Sequence, residues 1–366
     1  MRCGDSHFHC DVRPLCLHLK KTREASGIVE VAGESLYPRL SGSARMTNIV
    51  KDKGFGWFCW GVTSYLIAVI LWGAYVRVTG SGAGCGSHWP LCNGEVVPRA
   101  ASVETLIEFT HRATSGVALL LVIAMVIMAF RRFRRGHMVR LASIVTLFFI
   151  LTEAFIGAGL VLFELVAEDD SFARAWAMSF HLVNTFLLLA AASLTSWAAS
   201  GGPLPREFGR GRFQLLLSTS LLGMLLVGAS GAIAALGNTL FPSSSLAEAL
   251  RSDFSVSSHL LIRLRIYHPI FAVITSFLIL ATVFVGSRER KGILVSKLGL
   301  SVAVLCISQV VIGIVNVALL APAWLQLTHL LVSNLLWISI VLFGTVALST
   351  RPVILGEART AVVRTS

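Results

Sequence analysis

Eight stretches of this chain are too long and too apolar to be anything but membrane-crossing helices. They run roughly 57–77, 106–130, 139–163, 175–199, 213–236, 264–286, 297–320 and 324–348. At 1.5 Å of rise per residue, about 20 residues cover a hydrocarbon core of about 30 Å. Lipid offers the backbone no hydrogen-bond partner, so each crossing must satisfy its own donors and acceptors and be helical. The sixth stretch has the least defined start, because Arg263 and Arg265 interrupt it, and it extends as early as Ser257. Composition agrees: 55% of residues are hydrophobic and 14% charged, against about 25% charged in a soluble domain. That excludes an ordinary water-soluble enzyme, a disordered chain and a disulfide-stapled scaffold.

Positive charge orients the helices. The links after the second, fourth and sixth spans carry Arg131, Arg132, Arg134, Arg135 and Arg140, then Arg206, Arg210 and Arg212, then Arg288, Arg290, Lys291 and Lys297. Such links stay cytoplasmic. The alternating links are poor in Lys and Arg or acidic, as with Glu164, Glu168, Asp169 and Asp170, and are expected outside. Both termini are then cytoplasmic, with Lys51 and Lys53 before the first span and Arg351, Arg359 and Arg364 after the last. The net charge of +12 reads as this topology signal and not as affinity for nucleic acid.

Residues 1–50 lie outside the pattern. They contain Cys3, Cys10, Cys16, His7, His9 and His18 but no apolar segment of signal-peptide type, and Asp5, Asp11, Glu24, Glu30 and Glu34 do not suit a transit sequence. No regular ligand spacing points to a metal. Met46 is the expected natural start, because the residues from Met46 to Lys53 lead directly into the first span; intact mass tests this. The expected organisation is a tail over 1–50, a four-helix half over 51–200, a second over 201–350, and a cytoplasmic tail over 351–366.

The two halves match. Gly73-Ala74 aligns with Gly228-Ala229 at an offset of 155, and Glu153, Ile156 and Gly157 align with Gln309, Ile312 and Gly313 at 156. His111 aligns with His268 at 157, and His181 with His329 at 148 across a shorter final loop. Four crossings per repeat insert both halves in the same orientation, which predicts an all-α membrane protein of two pseudo-symmetric four-helix bundles. Of ten histidines, only His111, His181, His268 and His329 lie inside spans, all on even-numbered helices, one to two turns below the outer surface. An ionisable group at that depth is a functional candidate, the plain alternative being a hydrogen bond to a neighbouring helix. Two imidazoles per bundle are too few for zinc, which takes three or four protein ligands, but they suit a haem iron and its two axial positions. The pairs are His111 with His181 and His268 with His329. Arg112, Arg263 and Arg265 are candidates for the propionates or, equally, interfacial anchors.

The halves differ three residues before the first histidine, where Glu108 precedes His111 but Arg265 precedes His268. The i, i+3 spacing aims Glu108 at whatever His111 holds, for proton transfer or stabilisation of positive charge; the alternative is a pair with Arg77 or Arg112. This asymmetry places the chemistry in the first half and a resident cofactor in the second. In the first outer link, Gly80, Gly82, Gly84 and Gly86 make a tight loop, and Cys85 and Cys92 lie seven apart on the oxidising side. A disulfide there is either a passive staple or a thiol-exchanging pair. No Lys-Ser/Thr follows the glycines, so a phosphate loop is excluded. Cys59 and Cys306 lie in spans and read as packing residues.

Three segments carry a resemblance: the run from Gly73 to Cys85 (GAYVRVTGSGAGC), the run from Trp89 to Gly94 (WPLCNG), and the run from Ile107 to Arg112 (IEFTHR). With the repeated histidines, they make the chain from about Phe55 to Thr350 resemble the haem A synthase family. The resemblance implies oxidation of the C8 methyl of haem O to the formyl group of haem A, with a resident haem b. On it, His268 and His329 ligate haem b, His111 and His181 bracket the substrate haem, Glu108 acts beside it, and Cys85 and Cys92 form the first-loop disulfide. It further implies a bacterial-type plasma membrane, haem sites toward the outer face, and a haem O synthase and cytochrome oxidase assembly factors as partners; the electron donor stays unidentified. Some members of that family carry a second cysteine pair between the fifth and sixth spans, but here Phe241 to Arg265 holds none. A di-haem b electron-transfer subunit would explain the four histidines but not Glu108 or the first loop. A transporter of repeated halves would explain the duplication but not the shared depth.

Overall fold

The computed structural model describes residues 53–99, 101–205 and 211–350, all within one compact unit, Ile49–Ser366. The tail over 1–50 with Met46, the tail over 351–366, and Lys51, Arg206 and Arg210 lie outside the described residues. The helices are α1 (Lys53–Val78), α2 (Val103–Arg132), α3 (Met138–Leu162), α4 (Phe172–Ala199), α5 (Arg212–Leu240), α6 (Leu246–Phe254), α7 (Leu260–Leu264), α8 (Tyr267–Glu289), α9 (Ile293–Ala318) and α10 (Ala323–Ser349). No strand occurs among the described residues. Eight helical segments are long and apolar enough to cross a membrane, α7 and α8 together making the sixth, Leu260–Glu289.

Local chemistry sets the ends. Ser102, Ser171 and Ser245 cap α2, α4 and α6 by accepting from the amides of Thr105, Arg174 and Glu248. The blurred start of the sixth crossing has a cause that its arginines do not supply. Pro269 lacks an amide hydrogen and its ring collides with the carbonyl four residues back, so the helix is interrupted at Arg265–Ile266 and resumes with the proline in its first turn. The fifth crossing runs four residues past the expected 236, because Gly237 and Asn238 lower the hydropathy without ending the helix.

α1 packs on α2 and α4, α2 on α3, and α3 on α4; α5 packs on α8 and α10, α8 on α9, and α9 on α10. The two sets meet where α4 and α10, the most buried crossings, face each other and α5. Phe186 and Trp337 stack there with centroids 5.2 Å apart, and the indole donates to the Phe186 carbonyl at 2.6 Å. Hydroxyl pairs tie further helices: Thr63 with Ser196 at 3.0 Å, and Ser220 with Thr282 at 2.8 Å. Such pairs matter because lipid tails are as apolar as leucine and give helices little hydrophobic reason to associate. The same fact explains why Leu120, Phe155, Phe277 and Leu300 lie on the outside.

α6 has no counterpart among the expected crossings. It is tied down by Arg265, whose guanidinium donates to Asp253 Oδ1 at 2.7 and 2.9 Å and to Asn238 Oδ1 at 2.8 Å.

Candidate functional site

The four span histidines sit near the N-terminal ends of α2, α4, α8 and α10, at the end of the helices where α1, α3, α5 and α9 terminate. Each ring lies against a glycine of the preceding crossing. A Cβ added at Gly73 would be 2.8 Å from His111 Cε1, at Gly231 3.0 Å from His268 Cε1, and at Gly313 3.1 Å from His329 Cε1; at Gly157 it would be 3.8 Å from His181 Nε2. At three of the four the imidazole therefore fills space that any other residue would occupy. The glycine against His268 is Gly231, at an offset of 158 from Gly73. Gly228 faces Phe186, whose Cε2 lies 2.9 Å from where its Cβ would be. Of the two Gly-Ala pairs three residues apart in α5, the second lies against the histidine ring.

In the second half His268 and His329 face each other with centroids 6.3 Å apart and ring planes at 81°. His268 Nδ1 lies 3.4 Å from Ser230 Oγ, and His329 Nε2 lies 3.1 Å from Gln309 Nε2. In the first half His181 Nδ1 lies 2.8 Å from Glu153 Oε1. Buried Nδ1 atoms of His111 and His329 have no hydrogen-bond partner. These residues fit a haem. A nitrogen left unpaired in an apolar bundle is costly unless something takes its lone pair, and an iron about 2 Å from each of two imidazoles, as for imidazole on zinc, separates their centroids by about 6 Å. No group of three or more His, Cys, Asp or Glu that could hold a metal ion occurs among the described residues.

Glu108 is 3% exposed and spends both oxygens within the protein. Oε2 accepts from the amide of Cys85 at 2.8 Å; Oε1 accepts from Arg112 Nε at 3.1 Å and Nη2 at 2.5 Å. Arg112 in turn donates through Nη1 to the carbonyls of His88 at 2.5 Å and Leu91 at 2.7 Å. Glu108 is thus ion-paired with Arg112. Cys85 and Cys92 are bonded and buried, so a thiol reaches them only if the loop opens. Gly84 is obligatory, because a Cβ there would be 2.5 Å from the backbone of Glu104; its carbonyl accepts from Thr105 Oγ1 at 2.7 Å. The guanidiniums of Arg112 and Arg265 are thus engaged internally, while Arg263 is exposed. Cys59 and Cys306 are buried and are not disulfide-bonded.

Arg77 does not pair with Glu108. It leaves the last turn of α1 and donates across the seam to the Ala235 carbonyl at 2.8 Å and Thr239 Oγ1 at 2.7 Å on α5, and to Gln326 Oε1 at 2.9 Å on α10. Sequence reasoning also passed over Glu153 as a site residue. Its signal was available: among the described residues it is the one carboxylate more than two turns from either end of its crossing.

A family model described as "Cytochrome oxidase assembly protein" matches residues 56–341. A protein of Thermus thermophilus named "Protoheme IX farnesyltransferase" is 47% identical over 309 residues, 84% of this chain and 51% of that protein. Proteins named "Heme A synthase" are similar over shorter stretches: 42% over 98 residues in Shouchella clausii, 27% of this chain and 33% of the relative, and 44% over 96 residues in Bacillus mycoides, 26% and 31%. The chain spans about half the length of the Thermus relative or less of the others.

Proposed function

Since the chain belongs to the family of cytochrome oxidase assembly proteins, we propose that it is a haem A synthase, an oxidoreductase converting the C8 methyl of haem O to the formyl group of haem A for terminal oxidases. The observation that carries this is the set of four imidazoles at one end of the crossings, His111, His181, His268 and His329, with His268 facing His329 and a buried ring nitrogen unpaired in each of His111 and His329. The names of the shorter relatives support it. The Thermus relative supports the pairing of the reaction with its source of substrate, since a protohaem farnesyltransferase is a haem O synthase. We take such an enzyme and cytochrome oxidase assembly factors as the partners.

In this reading His268 and His329 hold a resident haem b, and His111 with His181 brackets haem O. The two halves, 51–200 and 201–350, are pseudo-symmetric bundles in a bacterial-type plasma membrane. Both termini are cytoplasmic, because Arg131, Arg132, Arg288 and Lys291 cluster at the helix ends remote from the histidines, which puts the haem sites toward the outer face. Haem iron supplies the oxidation chemistry when bound; the protein supplies aim, dryness and local charge. The apolar crossings keep water from the ring faces. Gly73, Gly231 and Gly313 let the rings recess against α1, α5 and α9. Glu108 works through Cys85 and Arg112, fixing the disulfide-closed first loop at the end of α2 above His111.

Co-expression with a haem O synthase, followed by chromatography of extracted pigments, tests the proposal. Haem A is expected; haem O and haem b alone would instead favour a di-haem electron-transfer subunit and overturn it.

A further inference from the structure

We propose that Glu153 is the positioning residue of the first-half site: its carboxylate takes the Nδ1 proton of His181 in a hydrogen bond, fixes the ring's tautomer and aim, and leaves Nε2 as the nitrogen for iron. The inference rests on reading His111 and His181 as the brackets of a haem. It adds that the two sites differ in the charge standing behind one ligand.

A carboxylate this deep in a crossing is costly unless every oxygen is satisfied, and Glu153 is. His181 Nδ1 lies 2.8 Å from Oε1, Asn184 Nδ2 donates to Oε2 at 2.6 Å, and the Thr185 hydroxyl donates to Oε1. Asn184 is itself held, donating to the Phe149 carbonyl at 2.9 Å and accepting from Thr152 at 2.7 Å. Two donors besides the histidine, both on α4, are thus dedicated to this carboxylate on α3.

The second half lacks this arrangement. Gln309 replaces Glu153 at the offset of 156, and Val332 replaces Asn184 at the histidine offset of 148. Gln309 meets His329 at Nε2, 3.1 Å away, and its Oε1 is buried with no hydrogen-bond partner. Loss of the carboxylate and loss of the amide that satisfied it coincide, as expected if Asn184 is there for Glu153. A carboxylate behind the distal nitrogen of a ligating imidazole fixes its orientation and makes it a more basic donor, and removing such a partner costs about ten- to a hundredfold in metal affinity. A more basic ligand favours ferric iron, so the first-half haem lies at the lower reduction potential of the two.

The test uses the full chain purified from membranes that make its haems, with haem content, low-spin spectra and a redox titration as readouts. Glu153→Leu removes charge and hydrogen bond together; it is expected to lower retention of the first-half haem about ten- to a hundredfold. Glu153→Gln keeps an acceptor for Nδ1–H and is expected to restore binding, with a potential more positive than the native one. The haem of His268 and His329 should titrate unchanged in both variants, which reports that the bundle has folded. An unaltered first-half spectrum and potential in Glu153→Leu, or loss of both haems together, would overturn the inference. Pigments are scored separately. Haem A in the native chain with an unmoved Glu153→Leu spectrum sinks this inference alone, whereas a Glu153-dependent haem without haem A sinks only the proposed activity.

Discussion

Glu108→Ala is expected to release the first loop while leaving the helices in place. The change deletes the acceptor of the Cys85 amide and both contacts from Arg112. A hydrogen bond to a charged group contributes about 1.5–3 kcal/mol, and breaking one side of a buried ion pair costs about 3–5 kcal/mol. The side chains of Arg112 and Glu108 are only 12% and 4% exposed, so water screens little of this. The two contributions share one carboxylate and are not additive; about 4 kcal/mol is a fair value for the loss. At about 1.4 kcal/mol per tenfold, the opening equilibrium of the loop rises about a thousandfold. Hydrogen exchange of peptides covering 84–92, in lipid nanodiscs, reads it directly. Protection there should fall by about that factor, and peptides from α5 and α10 should not change. Glu108→Gln keeps one good acceptor and should show about half the free-energy loss, near thirtyfold. Haem should remain bound in both variants while haem A formation falls. Protection within threefold of native in Glu108→Ala would refute the brace, and native product yield would remove Glu108 from the reaction.

Three further expectations follow from the contacts. Gly73→Val puts a branched side chain where the His111 ring now sits, 2.8 Å from the position of the new Cβ. Overpacking of about 1–3 kcal/mol should reduce first-half haem occupancy roughly 5- to 150-fold, measured as haem per protein. Arg77→Met takes the donor from Thr239 Oγ1 and Gln326 Oε1, while the Ala235 carbonyl keeps the Thr239 hydroxyl, and should lower stability by about 2 kcal/mol, seen as a lower Tm in detergent; an unchanged Tm would refute a stabilising role for the guanidinium. His268→Ala should lower haem b content, and a normal reduced haem b spectrum in that variant would contradict its assignment.

The crossings are legible because hydropathy acts over about 20 residues at a time, and the four histidines stand out as candidates because they share one depth and matched positions on alternate helices. What escaped reading depends on partners far apart in sequence. Arg77 carried no mark of its acceptors on α5 and α10, so Glu108 looked like a reasonable counter-ion. Glu153 appeared only as the repeat mate of Gln309, since its value lies in standing one ring nitrogen away from His181. α6 is too short and too polar to register as a crossing, and its link to Arg265 through Asp253 is a tertiary contact. Arg263 and Arg265 mark the break before α8 in the sequence, but its local cause is Pro269, whose carbonyl clash falls four residues upstream of the proline itself.

Arg77 also has a bearing on how the protein is made. It leaves the ribosome with the first crossing, yet its acceptors follow 158, 162 and 249 residues later. Throughout that interval the nascent chain carries a guanidinium whose native partners do not exist, and the last of them arrives with the final crossing. A fragment ending after α4 would hold that debt permanently. Arg77 therefore reaches its native setting only once α5 and α10 have been inserted beside α1.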